Sequence, residues 1–427
     1  MPLILSGNVA TALGTGYDVD NSCRFDDGSS AYMHKTPGSA GSSRKVTISC
    51  WYKKAQPTNG TTWQQILNCS DSDGNPFFAF GLKADKFTVS SGSGSTELQK
   101  QSTQVLRDIG AWYHLCVGID TTDGTAGDRV KMYINGTRVT SFAASTNPDQ
   151  NYDFPSLNTT SYAINIGRDD YGGGEAYLDG YLAEVVFIDG SALAPTSFGE
   201  FDEDSPTIWK PKDVSGLTFG TQGFYLDFED SSALGDDKSG NGNDYTANNL
   251  AATDQSTDTP TNNFCVMSPL AHQTRAQTLT EGNLQAYYSS GSNWGTNWAS
   301  IAAKNGKWYA EVLVTAYGSN GSNIGIVNVD MTAFPNQAAI SNGQDEFSAG
   351  YYSTGILQRN SETSHSGNTN DDYDSYGADD IVSMAMDLDN GFLYWAKNGT
   401  WQNSGDPTSA GTGTVSYTHL RAHETRH

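Results

Sequence analysis

The apolar residues of this chain alternate with polar ones, and that period constrains the fold more than any other feature. Val46-Thr-Ile-Ser-Cys-Trp-Tyr52, Trp112-Tyr-His-Leu-Cys-Val-Gly-Ile119, Val130-Lys-Met-Tyr-Ile134 and Leu182-Ala-Glu-Val-Val-Phe-Ile188 send successive side chains to opposite faces, as strands do. Few stretches keep apolar residues three and four apart for even three turns, so helices are not expected. Asn135-Gly136 follows Ile134, and Asn398-Gly399 follows the strand Phe392-Leu-Tyr-Trp-Ala396. Both dipeptides take the positive φ angles of a type I′ turn, which predicts hairpins over 130–142 and 394–401. Gly223-Phe-Tyr-Leu-Asp-Phe228 is expected to return and close the first sheet pair. Many strands at short spacing with no helices between them predict an all-β protein of two tandem antiparallel β-sandwiches.

Two domains also suit a length of 427 residues. From 241 to 263 the chain runs through Asn, Asp, Thr and Gly with few large apolar residues, so this stretch is expected to be a polar linker between sandwiches at 1–240 and 264–414. Forty-eight acids against 24 bases leave a net charge of −24, which gives no footprint for a phosphate backbone and disfavours nucleic acid as a partner. The opening Met1-Pro-Leu-Ile-Leu-Ser-Gly7 has no basic region and only three consecutive aliphatics, and no run of 18 apolar residues follows. Neither a signal peptide nor membrane insertion is expected. Cys23, Cys50, Cys69, Cys116 and Cys265 form no CxxC pair, so they are read as reduced, mostly core residues rather than disulfides or zinc ligands.

Four ordered elements give the first half a resemblance. Ser22-Cys-Arg-Phe-Asp-Asp-Gly-Ser-Ser-Ala-Tyr32, Trp112-Tyr-His-Leu with Lys131-Met-Tyr-Ile-Asn-Gly-Thr137, Ile164-Asn-Ile-Gly-Arg168 and Leu178-Asp-Gly-Tyr-Leu-Ala-Glu-Val-Val-Phe187 resemble the laminin-G-like, concanavalin A-like lectin/glucanase family. In the second half, Gly306-Lys-Trp-Tyr-Ala-Glu-Val312, Asn323-Ile-Gly-Ile-Val327, Tyr376-Gly-Ala-Asp-Asp-Ile-Val382 and Met386 to Gly399 resemble a SPRY domain, also a concanavalin-like jelly roll. Val415-Ser-Tyr-Thr-His-Leu-Arg-Ala-His-Glu-Thr425 resembles a translated sequencing adapter, so the second sandwich is expected to be incomplete and 415–427 foreign to it. The layout resembles structural proteins of marine bacteriophages, tail fibres especially. These resemblances imply recognition of a cell-surface glycan or protein by a homo-oligomer within a larger assembly. They place it in a virion, or outside the cell after assembly in a host cytoplasm.

Because the fold also hosts glucanases, the acids need testing. Retaining glucanases need two carboxylates about 5 Å apart, delivered by alternate residues of one strand. Glu200-Phe-Asp202 and Asp227-Phe-Glu229 begin such a pattern, but Ser205, Pro206, Ser232 and Ala233 stand where the acid should follow. The chain is therefore read as non-catalytic, with a glycoside hydrolase of this fold and a purely structural particle protein as the competing readings. Calcium is the candidate cofactor. Asp71-Ser-Asp-Gly-Asn75 spaces Asp71, Asp73 and Asn75 at alternate positions, as hard-cation loops do, although Pro76 and Leu82 exclude an EF-hand. A glycan site needs exposed aromatic faces with polar groups beside them. Asp169, Asp170 and Tyr171 on a glycine loop, and Trp294 and Trp298 in Ser-Asn-Trp-Gly-Thr-Asn-Trp, are the ligand candidates. Trp51, Trp112, Trp308 and Trp395 fall within alternating strands and are expected in the core.

Overall fold

A computed structural model of the chain describes residues 16–58, 62–170, 176–272, 277–287, 295–316, 321–327, 348–359, 373–409 and 415–416. The described residues form strands joined by turns and short 3-10 turns, with no α-helix among them. None of their helices is long and apolar enough to cross a membrane. The chain divides into two compact units, the first comprising Met1–Leu270 with Leu279–Ala286 and the second Ala271–Thr278 with Tyr287–His427.

In the first unit the strands are β1 Ser22–Phe25, β2 Tyr32–Lys35, β3 Lys45–Lys54, β4 Trp63–Ser70, β5 Phe77–Lys83, β6 Lys86–Gly92, β7 Thr96–Ser102, β8 Trp112–Asp120, β9 Val130–Ile134, β10 Thr137–Arg138, β11 Phe142–Thr146, β12 Ile164–Ile166, β13 Gly180–Asp189, β14 Gly199–Phe201, β15 Trp209–Pro211, β16 Phe224–Leu226, β17 Thr246–Asn248 and β18 Gln255–Ser256. Sheet one runs β10-β9-β8-β3-β13-β1-β18, with β16 also on β13; sheet two runs β11-β7-β6-β5-β4-β12-β2-β17. The alternation read from the sequence sets their common core. Ile48, Cys50 and Tyr52 of β3, with Leu115 and Val117 of β8, are buried in one cluster with Phe78, Phe80, Phe87 and Val89 of sheet two. Each such side chain contributes roughly 1.5–3 kcal/mol by leaving water. The expected turn is present: Asn135 and Gly136 have φ of 47° and 73°, and β10 folds back on β9. The 223–228 strand also returns, as β16 on β13.

The outer face of sheet one is apolar as well, and it is covered. Cys116, Val186, Ile188 and Tyr225 pack with Phe198, Val214 and Phe219, while Trp51, Trp112 and Tyr181 pack with Trp209 and Val19. The segment after β13 thus crosses back over the sheet and hides what would otherwise be an exposed hydrophobic face.

The expected linker at 241–263 is corrected by the structure. Its β17 pairs with β2 and its β18 with β1. Tyr245 is buried in the core, and the carboxylate of Asp258 accepts from Lys53 Nζ at 2.6 Å and Trp112 Nε1 at 3.0 Å. A polar composition concealed this because the segment is held by strand pairing and by a buried ion pair rather than by apolar side chains. Of the five cysteines, four are buried thiols and Cys265 is exposed.

The second unit has a sheet of Lys307–Val314, Asp380–Asp387, Phe392–Lys397 and Thr400–Trp401, with Val415–Ser416 also on 392–397, and a three-stranded sheet of Asn323–Val327, Ser348–Tyr352 and Leu357–Arg359. Tyr351, Tyr373, Tyr376, Leu393 and Trp395 centre its core. Asn398 and Gly399 have φ of 49° and 78° and close the second expected hairpin. Trp51, Trp112 and Trp395 are buried as expected, but Trp308 is 38% exposed. Among the described residues its strand pairs on one side only, with 380–387, so alternation there does not secure burial. Residues 417–427 lie outside the described residues.

Candidate functional site

The outer face of sheet two is polar, and β4 shows how it is built. Trp63-Gln-Gln-Ile-Leu-Asn-Cys-Ser70 places two polar and then two apolar residues in a row, and its pairing with β5 shifts register between Gln65 and Leu67. This bulge buries both Ile66 and Leu67 and returns Gln65 and Asn68 to the same outer face. There a relay of hydrogen bonds runs down the strand. Ser70 Oγ donates to Asn68 Oδ1 at 3.0 Å, Asn68 Nδ2 to Gln65 Oε1 at 2.8 Å, and Gln65 Nε2 to Asp169 Oδ2 at 2.7 Å. Each amide is thereby held in one orientation.

The relay forms the floor of a groove of about 330 Å³. Half-buried Trp63 and Phe77 stand toward opposite ends of the paired strands, since Trp63 is opposite Lys83 and Phe77 opposite Ser70. Lys83 Nζ lies 5.4 Å from the centroid of the Trp63 ring. Ser90 and Gln99 extend the polar lining across β6 and β7. Such a site can stack a flat apolar ring face on Trp63 and offer amide, hydroxyl and carboxylate groups to hydroxyls beside it.

The candidate residues read from the sequence are distributed unevenly. Asp169 lines the groove. Asp170 Oδ1 is ion-paired at 2.9 Å with Arg168, whose guanidinium lies 3.9 Å from the Tyr32 ring centroid. Tyr171 and Trp294 lie outside the described residues. Trp298 is half-buried in the strand Asn297–Ala299 of the second unit. Asp71, Asp73 and Asn75 form a tight turn. Asp71 Oδ1 accepts from the Asp73 amide at 3.3 Å and Ser72 Oγ at 3.1 Å, the Gly74 amide donates to the Asp71 carbonyl at 2.7 Å, and Asn75 Oδ1 accepts from the Gly94 amide at 2.8 Å. Two of the three candidate oxygen donors therefore already serve the backbone. Among the glucanase-like acids, Glu200 is exposed and Asp202 accepts from the amides of Asp204 and Ser205 at 3.0 and 2.9 Å.

Sequence reasoning missed the Gln65–Asn68–Ser70 relay. Its residue types were visible, but Gln65 and Asn68 stand three apart and would fall on opposite faces of a regular strand; the bulge that aligns them is set by the pairing with β5 and is invisible in β4 alone. It also missed two buried acids, Glu184 and Asp179. Glu184, at the bulge of β13 with φ of 50°, is buried beneath Tyr225 and Tyr17, whose hydroxyls donate to it at 2.9 and 3.2 Å. Burial pushes its carboxyl up to about 7, against those hydrogen bonds. Asp179 is pushed up to about 8 by burial and by the neighbouring Asp27 and Asp26.

Residues 27–196 match the laminin-G-type family described as the concanavalin A-like lectin/glucanases superfamily. No curated protein matches the chain. Among solved structures, the heptameric SAP-like pentraxin of Limulus polyphemus is 18% identical, with 42% of this chain and 80% of that chain covered and a TM-score of 0.31. Domain 4 of an extracellular arabinanase from Geobacillus stearothermophilus, solved with arabinotriose, is 20% identical over 45% of this chain and 83% of that one, with a TM-score of 0.28. A full-length tailspike protein of an Escherichia coli bacteriophage is 15% identical over 41% of this chain and 23% of that one, with a TM-score of 0.28.

Proposed function

We propose that the first unit is a non-catalytic glycan-binding module and that the groove on the outer face of sheet two is its ligand site. The observation that carries this is the fixed relay Ser70–Asn68–Gln65–Asp169 lying between Trp63 and Phe77 on a sheet face that, among the described residues, none of the first unit's apolar clusters covers. Hydrogen-bonding groups already oriented toward a ligand lose little entropy on binding, and the Trp63 ring supplies apolar contact at its edge. The absence of catalysis belongs to the same proposal. A retaining or inverting hydrolase needs two carboxylates flanking the bond, and the described lining supplies Asp169, which is already engaged by Gln65. Display in many copies within a tail-fibre-like particle would sum weak single-site contacts, and the SPRY-like second unit would then add loops for a protein partner. The support for that wider setting is the sequence resemblance.

The test is a glycan-array screen of the full chain, followed by the same screen on Gln65→Ala and Asp169→Asn. Binding to a defined set of glycans that weakens at least tenfold in both variants is the expected result. Glycan binding that both variants retain in full would remove the groove from the account, and release of sugar from any bound oligosaccharide would remove the non-catalytic reading.

A further inference from the structure

Lys53 sits where a charge is least expected. It lies near the end of β3, opposite Tyr181 of β13 on one side and Trp112 of β8 on the other. Residues directly opposite share a sheet face, so Lys53 joins the covered outer row whose cluster holds Trp51, Trp112 and Tyr181. It is fully buried, and its Nζ lies 5.9 Å from the centroid of the Tyr181 ring. A buried ion pair is often no more stable than apolar packing of similar volume, so stability alone gives weak ground for a lysine here.

The surroundings of its Nζ differ from those of an ordinary ion pair. Three acceptors come from the segment after β18: Asp258 Oδ2 at 2.6 Å, Asn263 Oδ1 at 2.9 Å and the Phe264 carbonyl at 2.6 Å. Asn263 Nδ2 donates to the Gly110 carbonyl at 2.7 Å, which fixes the amide with its oxygen, and the carboxamide carbon that bears it, toward Lys53. Asp258 is held from its other side, where Trp112 Nε1 and the Phe264 amide donate to Oδ1 at 3.0 and 3.2 Å. Burial pulls the Lys53 amine below its ordinary range, with the charge of Asp258 opposing, and so eases loss of its proton. Lys54 is the contrast in the same strand. It is buried as well, but its Nζ reaches Asp85 Oδ1 at 2.6 Å and the Leu106 carbonyl at 3.1 Å, with no carboxamide among its partners in the described residues. Of the two lysines, only Lys53 meets both a carboxamide carbon and an acid able to carry a proton.

We propose that Lys53 and Asn263 become joined by an isopeptide bond between their side chains, with Asp258 as the proton carrier. Asp258 Oδ2 takes one proton from Nζ, and the freed amine attacks Cγ of Asn263. The Nζ–Cγ bond forms and the Cγ–Nδ2 bond breaks. The two protons that Nζ sheds leave with Nδ2 as ammonium, one of them by way of Asp258, which returns to its carboxylate. Nothing is oxidised or reduced, and no co-reactant is needed. Asn263 is half-buried, so the ammonium has a way out to solvent. The bond closes a loop between positions 210 apart and ties the segment after β18 to an inner strand of sheet one, which restricts the unfolded chain. None of the three residues lines the groove, so this site stands apart from the glycan reading.

The test is the intact mass of the purified, folded full chain, followed by tryptic digestion. The wild type is expected to be lighter than its sequence by the mass of one ammonia and to yield a branched peptide joining Lys53 to Asn263. Asn263→Ala and Asp258→Asn are expected to keep the full mass of their sequences and to give no branched peptide. Asn263→Ala changes a half-buried side chain and keeps the comparison decisive if Asp258→Asn does not fold. A wild-type chain of full sequence mass would overturn the proposal, as would an ammonia lost equally from Asn263→Ala. A branched peptide joining Lys53 to Asp258, with water lost instead, would overturn the assignment to Asn263. A Lys53–Asn263 bond that still forms in Asp258→Asn would overturn the role given to Asp258.

Discussion

The two sheets of the first unit treat their outer faces in opposite ways. On sheet one, Trp51, Trp112, Tyr181, Val186 and Ile188 point outward and are covered by Phe198, Trp209, Val214 and Phe219. On sheet two, the outward positions of β4 carry Gln65, Asn68 and Ser70, joined by their own hydrogen bonds, and form the floor of a groove. Alternation sets the outward row of β3 and β8 and a bulge sets that of β4, and the chemistry of the outward residues differs between the two faces. With the covered face serving stability and the polar face serving recognition, as proposed above, substitutions on the two should separate cleanly.

The largest effect is expected on the covered face. Trp209 is 4% exposed, its ring centroid lies 4.9 Å from that of Phe201 and 5.7 Å from that of His114, and a side chain at Gly136 or Gly199 would strike it. Trp209→Ala should cost about 3–5 kcal/mol in chemical denaturation. A loss below about 1 kcal/mol would show that the covering segment does not stabilise the sheet.

A similar loss tests the segment read as a linker. Asp258 is 3% exposed and neutralises the fully buried Lys53. Asp258→Ala leaves that ammonium unpaired and should cost about 3–5 kcal/mol, whereas a true linker would lose almost nothing.

Next comes pH. The folded carboxyl of Glu184 titrates near 7 against an ordinary value of 4.5, so between those two values the folded state binds more protons than the unfolded one. Stability should therefore fall as pH rises through that window, by about 3 kcal/mol, with no contribution from this group below it. Denaturation midpoints of the wild type and Glu184→Gln across pH 4 to 8 check this, and the variant's curve should lack that fall. An identical slope in both would assign the pH dependence elsewhere.

The smallest effect on stability is expected at the groove. Asp169→Asn keeps an oxygen for Gln65 and should change stability by less than about 0.5 kcal/mol while weakening glycan binding.

Much of the first sandwich was legible because the alternating runs at 46–52, 112–119, 130–134 and 182–188 became β3, β8, β9 and β13, and Asn-Gly turned where its φ angles allow. The linker reading failed because Tyr245, Asp258 and the pairings of β17 and β18 act singly and at long range, leaving no local pattern. Trp308 failed for the converse reason, since a strand that pairs on one side only among the described residues can alternate without being buried. Of the candidate site, Asp169 was legible as a loop carboxylate. The relay above it needed the bulge of β4, which is set by a partner strand.

The most direct test of the central claim is the glycan affinity of Trp63→Ala in the full chain, measured by titration on a sample whose melting temperature is followed in parallel. The account predicts at least a tenfold loss of affinity for every glycan the wild type binds, with melting unchanged within about 2–4 °C. Undiminished affinity in a variant that melts like the wild type would contradict it and move recognition away from the uncovered face of sheet two.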